Sequence, residues 1–301
     1  MTKTLIAIVG PTAIGKTSLS IKLANHFNTE IISADSRQFY KEMSIGTAAP
    51  SATELQATKH HFIHHKSIHD TYNVREFEKD SLTLLEELFK THNTMIMVGG
   101  SGLYVDAVLN GLDDFPDVDK SIREALMQQL ESKGLLALQL QLKELDTSAY
   151  RNIDIDNPHR LIRALEICIG TKKPYSSFLG QKQKKRNFNS ICIGLTADRE
   201  LIYNRINERV DVMIETGLIE EAKTLYKYRS LNALNTVGYK ELFAHFDDEN
   251  DLETAISEIK KNTRRFAKRQ LTWYRKKPSI KWFQYDSDIT SIVDYIERNL
   301  K

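Results

Sequence analysis

Gly10-Pro11-Thr12-Ala13-Ile14-Gly15-Lys16-Thr17 follows directly on the apolar run Leu5-Ile6-Ala7-Ile8-Val9. The octet matches G-x-x-x-x-G-K-[ST], and the apolar run before it and helical spacing after it supply the strand–loop–helix context this pattern needs. Glycines let the backbone curl until its amide hydrogens converge on phosphate oxygens, and the start of a helix adds a favourable dipole. Lys16 brings positive charge to the terminal phosphate, and the Thr17 hydroxyl is a candidate magnesium ligand. Gly10 to Thr17 is therefore read as a phosphate cradle.

Outward from the cradle, strand and helix alternate. Lys16 to Phe27 carries Leu19, Leu23 and Phe27 every four residues, a helix. Ile31-Ile32 is a short strand ending at Ser33-Ala34-Asp35-Ser36, Val74 to Lys90 is helical, and Thr94 to Val98 is a strand closed by Gly99-Gly100-Ser101-Gly102. The expected fold class is α/β, with a parallel sheet covered by helices on both faces. The alternation stops near Asp113, and residues 114–187 read as helical, with a helix opening at Asn157-Pro158 where asparagine caps and proline suits the first turn. Strand character returns at Ser190–Leu195. Long helices are expected over Arg199–Tyr228 and from Leu252 to about Tyr274, with a last strand at Ile280–Phe283. The domain expectation is a catalytic core of 1–113 and 188–301 interrupted by a helical insertion of 114–187.

Bulk properties narrow the class. Of 301 residues 41% are hydrophobic and 27% charged, an ordinary globular mix, and no apolar run approaches the roughly 20 residues that cross a bilayer. The two cysteines, Cys168 and Cys192, give no disulfide framework and suit inert thiols in a cytoplasmic protein. Net charge is only +2, but Lys260 to Lys277 holds nine cations and no carboxylate, and Lys182, Lys184, Lys185 and Arg186 form a second cluster. Such blocks on a near-neutral chain point to a polyanion-facing surface. Phe266, Trp273 and Tyr274, interleaved in the first block, are expected to be core side chains. The histidines His60, His61, His64, His65 and His69 lack the paired spacing of a structural zinc site.

A phosphate cradle does not by itself name a reaction. Most hold a nucleoside triphosphate, so a kinase is the default, and a nucleotide-driven switch or RNA-binding module is a second alternative. Two features lead elsewhere. The third strand ends in glycines in place of the aspartate that helps hold magnesium in such enzymes, and the carboxylate at a strand end is Asp35. Strand ends on the cradle side are where sites form in open sheets, so Asp35 and Ser101 can both reach a reacting centre. A cap or turn role for either residue stays open at this point.

Nine blocks resemble, in order, the bacterial tRNA dimethylallyltransferase family: GPTAIGKT (10–17), ISADSRQFY (32–40), MSIGTAAP (43–50), HHFI (60–63), VGGSGLYVDAVL (98–109), DNPHRLIRALEI (156–167), RINERVDVMIETGLIEEAK (205–223), NTVGYKEL (235–242) and TRRFAKRQLTWYRK (263–276). The likeness runs from about Thr4 to Phe283. It implies a magnesium-dependent transfer of a dimethylallyl group from its diphosphate to the exocyclic amine of the adenosine 3′ of the anticodon. The cradle and Arg209 would then hold diphosphate as a leaving group, with Asp35 as general base and Ser101, where much of the family has threonine, orienting the amine or Asp35. The same resemblance sets Asp35, Ser36, Arg37, Gln38, Ser101, Arg123, His159, Arg160, Leu161, Ile162 and Arg163 against the tRNA anticodon arm. His64 and His65 depart from the family's usual continuation. A monomer free of membranes is the accompanying expectation.

Overall fold

The computed structural model describes residues 2–180 and 184–300. Six parallel strands form one sheet among the described residues: β1 (Thr4–Val9), β2 (Ile31–Ser33), β3 (His60–His61), β4 (Thr94–Val98), β5 (Asn189–Thr196) and β6 (Ile280–Gln284), in the order β3-β2-β4-β1-β5-β6. Every residue of β1 is buried, because both its faces are covered. Successive side chains point to opposite faces. Ile6 and Ile8 accordingly join a core with Leu23, Ile202 and Ile296, while Leu5, Ala7 and Val9 join another with Phe77 and Tyr274.

The helices are α1 (Lys16–His26), α2 (Ala52–Ala57), α3 (Val74–Leu88), α4 (Gly102–Asn110), α5 (Lys120–Leu145), α6 (Thr147–Asn152), α7 (Pro158–Thr171), α8 (Arg199–Glu215), α9 (Leu218–Leu225), α10 (Tyr239–Phe246), α11 (Leu252–Arg275) and α12 (Ile289–Asn299). The single helix expected over Arg199–Tyr228 is broken. Gly217 sits at φ +105°, a left-handed conformation that ends α8 and starts α9 in a new direction. None of these helices is long and apolar enough to cross a membrane.

The chain divides into two compact units, residues 1–110 with 185–301, and residues 111–184. The first contains the sheet. Beside the two sheet cores it holds a third, in which Tyr40, Met43, Val210, Leu218, Tyr239 and Ile259 are packed. The second unit is helical and has its own core of Leu126, Leu138, Leu142, Leu161, Leu165 and neighbours. Its α7 starts as its sequence requires: the Asn157 side chain accepts from the backbone N–H groups of His159 and Arg160, and Pro158 occupies the first turn.

Candidate active site

Strand order brings the site together. β2, β4 and β1 are neighbours, so the segments leaving their carboxyl ends (Ala34–Gln38, Gly99–Ser101 and Gly10–Thr17) converge on one edge. The Ala34 amide donates to the Val98 carbonyl at 2.7 Å and the Gly99 amide to the Ile8 carbonyl at 3.3 Å, extending the ladder past the strand ends.

The Gly10–Thr17 loop is curled, with Gly10, Ala13 and Gly15 at positive φ. Lys16 folds back so that its amine donates to the Pro11 carbonyl at 2.7 Å. Burial and, after it, the Arg209 charge, opposed in part by the Asp35 carboxylate, together bring the Lys16 amine down to about 7. Arg209, on α8, donates to the Thr12 hydroxyl at 3.4 Å. Two cations thus face a backbone nest with little negative charge to balance them.

Asp35 is the counterweight. Burial raises its carboxyl above the usual carboxylate range, while the Arg37 amide, donating to Oδ1 at 3.1 Å, and the charges of Lys16, Arg37 and Arg209 draw it back. Ser101 reaches this segment by way of Ser36: the Ser36 amide donates to Ser101 Oγ at 3.1 Å, and the Ser101 hydroxyl donates to Ser36 Oγ at 3.2 Å. Arg37 turns its guanidinium onto the carbonyls of Asn232, Ala233 and Asn235. The Gln38 amide donates to the Thr47 and Ala48 carbonyls.

Two cavities meet here. One, of about 290 Å³, is lined by residues 12–18 with Ser33, Asp35, His60 and Gly100. The other, of about 410 Å³, is lined by Asp35, Ser36 and Ser101 on one side and by Val210, Met213, Leu218, Ile259 and Phe266 on an apolar side. Thr12, Asp35, Thr47, Ala48 and Arg209 line both. No group of three or more histidine, cysteine or acidic side chains is arranged to hold a metal among the described residues. Thr17, in the cradle wall, fits magnesium in the usual phosphate-site manner, in which the ion keeps waters and takes most other ligands from the bound phosphates.

Three residues important to this geometry escaped sequence reasoning. Buried Gln270 of α11 accepts from the Thr12 amide at 2.8 Å and donates to the Gly100 carbonyl at 3.0 Å. Glu221 accepts from the amides of Ser44, Ile45 and Gly46, each at 2.9 Å, and from the Tyr239 hydroxyl at 2.6 Å. It therefore fixes the loop that runs into Thr47 and Ala48. Asp106 receives both Lys277 and the Trp273 indole N–H.

Other expectations are modified. In α7, Leu161 (0% exposed) and Ile162 (3%) bury their side chains in the helical core, leaving His159, Arg160 and Arg163 as the polar groups of that stretch. Arg123 and Arg163 both pair with Glu166, at 3.3 and 3.1 Å. Arg186 does not face a polyanion: its guanidinium is buried against Glu78 at 2.7 Å and against the carbonyls of Ala107 and Val108. Lys184 pairs with Asp114, and Lys182 lies outside the described residues. Of the α11 aromatics only Tyr274 is core, whereas Phe266 and Trp273 are each 38% exposed. His61 pairs with Glu30 at 2.5 Å. His65 packs edge-on against Phe39, Phe62 and Tyr72, and burial lowers it to about 4, so it is a neutral ring in an aromatic cluster.

The family described as IPP transferase matches residues 38–277 of this chain. A tRNA dimethylallyltransferase of Christiangramia forsetii is 65% identical over 300 residues, covering 100% of this chain and 99% of its own length. One from Flavobacterium johnsoniae is 55% identical over 305 residues, covering 99% of each. Among solved structures, the full-length tRNA isopentenylpyrophosphate transferase of Bacillus halodurans superposes with a TM-score of 0.74 at 40% identity, over 99% of this chain and 97% of that one. A eukaryotic dimethylallyltransferase, described as caught acting on tRNA, superposes with a TM-score of 0.80 at 26% identity, over 99% of this chain and 80% of the other.

Proposed function

The chain belongs to the IPP transferase family, and from that premise we propose that it moves a dimethylallyl group from dimethylallyl diphosphate to the exocyclic amine of the adenosine 3′ of the anticodon in tRNA. It is a tRNA-modifying prenyltransferase. One observation carries the finer reading: Asp35, Thr12 and Arg209 stand in the wall shared by a phosphate cradle and a larger, partly apolar cavity. A donor with a charged head and an apolar tail suits such a junction, and so does a nucleobase meeting that donor from the wider side.

In the reaction the amine nitrogen bonds to the allylic carbon, the carbon–oxygen bond breaks, and diphosphate leaves with the electron pair. Cradle amides, Lys16 and Arg209 stabilise the charge that grows on the leaving group. Thr17 would hold magnesium, which when bound would supply Lewis-acid neutralisation of that charge. An adenine amine is a poor nucleophile because its lone pair is delocalised into the ring. Asp35 accepts its proton as the bond forms, a role typically worth about 10²–10⁴-fold. Ser101 orients this segment through Ser36. The adenosine leaves its stack to reach the site. His159, Arg160 and Arg163 of the insertion, with cations of α11, are the side chains we assign to the anticodon arm.

The test is incubation of unmodified tRNA with dimethylallyl diphosphate and magnesium, with and without ATP. The expected result is a mass gain of one dimethylallyl unit on the tRNA, independent of ATP and abolished by Asp35→Ala or Lys16→Ala. ATP-dependent phosphate transfer in its place would support a kinase.

A further inference from the structure

Gln270 lies in the middle of the most basic segment of the chain, yet its side chain is 5% exposed. Both ends of its amide are engaged by backbone groups of loops that follow different strands. Oε1 takes the Thr12 N–H at 2.8 Å, and Nε2 gives a hydrogen to the Gly100 carbonyl at 3.0 Å. Contact with the Gly100 loop is so close that a Cβ on Gly100 would stand 2.3 Å from Gln270 Nε2. One turn along α11, the Tyr274 hydroxyl reaches the Gly99 carbonyl at 3.4 Å. The helix is therefore fastened to this turn at two points, and to the cradle by the same glutamine.

Each end of the bridge continues into the site. Thr12 holds Arg209 through its hydroxyl and lines both cavities. Gly100 is followed by Ser101, whose oxygen holds the Ser36 amide next to Asp35. The geometry points to Gln270 as a positioning residue that sets the distance between the arm holding the departing diphosphate and the arm activating the nitrogen. This rests on the prenyl-transfer reading above. Glutamine suits the task because one planar amide offers an acceptor and a donor about 2 Å apart with no charge beside the diphosphate. A lysine or arginine, like those around it, could not accept from Thr12, and a carboxylate could not donate to Gly100.

Gln270 lines neither of the two cavities, so its loss should appear in turnover more than in affinity. A misplacement of about 1 Å costs on the order of 10²-fold in rate. Gln270→Met keeps the volume and removes both bonds. The expected result is kcat lowered about 10²-fold, with KM for donor and tRNA and the Kd of inorganic diphosphate unchanged within a small factor. Gln270→Glu supplies a second, diagnostic readout. Ionised, the introduced carboxyl accepts from Thr12 but leaves Gly100 unmet; protonated, it can donate to Gly100 and still accept from Thr12. Its kcat relative to wild type should therefore recover as pH is lowered from 8 to 6. Diphosphate affinity lost with kcat retained would overturn the proposal, as would unchanged kinetics, or a loss in both variants that follows melting temperature and shows no recovery at low pH. Wild type in the same assay separates the two levels: no prenyl transfer by wild type sinks the underlying reading, while transfer by wild type and Gln270→Met alike sinks only the positioning role.

Discussion

Lys16 illustrates how a single side chain is prepared for an anion. Its amine is buried beside another cation and satisfied by one carbonyl, so its ordinary preference for charge is cut to near neutrality. A bound diphosphate restores that preference, so binding takes up a proton above pH 7. The sign follows from linkage: affinity is complete where the free amine is already protonated, below about 7, and falls as pH rises beyond it. Lys16→Arg stays charged throughout. The ratio of wild-type to Lys16→Arg affinity for inorganic diphosphate, which cancels the ligand's own ionisation, is predicted to drop by up to about tenfold per pH unit above 7. Isothermal titration across pH 6 to 9 checks this, and a flat ratio would contradict the assigned state of Lys16. Asp35 is tuned in the opposite direction for the same reason, since burial raises an acid and lowers a base.

At the scale of elements, the loop from Met43 to Ala48 has no regular structure and still forms a cavity wall. Glu221 accounts for that by accepting three consecutive amides as well as the Tyr239 hydroxyl. Glu221→Ala leaves those donors without partners, and a loss of about 3 kcal/mol or more in unfolding free energy is expected, together with faster hydrogen exchange at Ser44–Gly46. Denaturant unfolding with exchange mass spectrometry would show either outcome. The same elements explain what could be seen from the chain alone. Cradle, parallel strands and helical insertion follow from local pattern: an apolar run before glycines, leucines four apart, an Asn-Pro helix start. Gln270 did not, because its partners lie 258 and 170 residues away and a glutamine in a basic helix looks like solvated surface. Arg186 looks like surface for the same reason, since Glu78, which buries it, is 108 residues distant. Asp35 is legible as a strand-end carboxylate, but the general-base role proposed for it comes from resemblance, and its neighbours only from the folded chain.

Across the whole molecule, charge is sorted more than its net value suggests. Lys260, Lys261 and Lys277 are paired with carboxylates, and Arg269 lines the larger cavity. Lys268 and Arg275 stand exposed beside a smaller cavity of about 230 Å³. We assign these last two to phosphates of tRNA. Replacing either by alanine should weaken tRNA binding across sequences alike and lower the slope of log affinity against log salt by about 1. Filter binding over a salt series measures that slope, and an unchanged value would remove α11 from the RNA surface. The central claim, that diphosphate departs from the glycine loop while a carboxylate takes the amine proton, is tested most directly by a crystal structure with tRNA, diphosphate and magnesium. The account predicts diphosphate against Gly10–Thr17 and the extruded adenine amine within about 2.6–3.2 Å of the Asp35 carboxylate. An adenine amine met by some other base, with Asp35 turned away from it, would contradict the account.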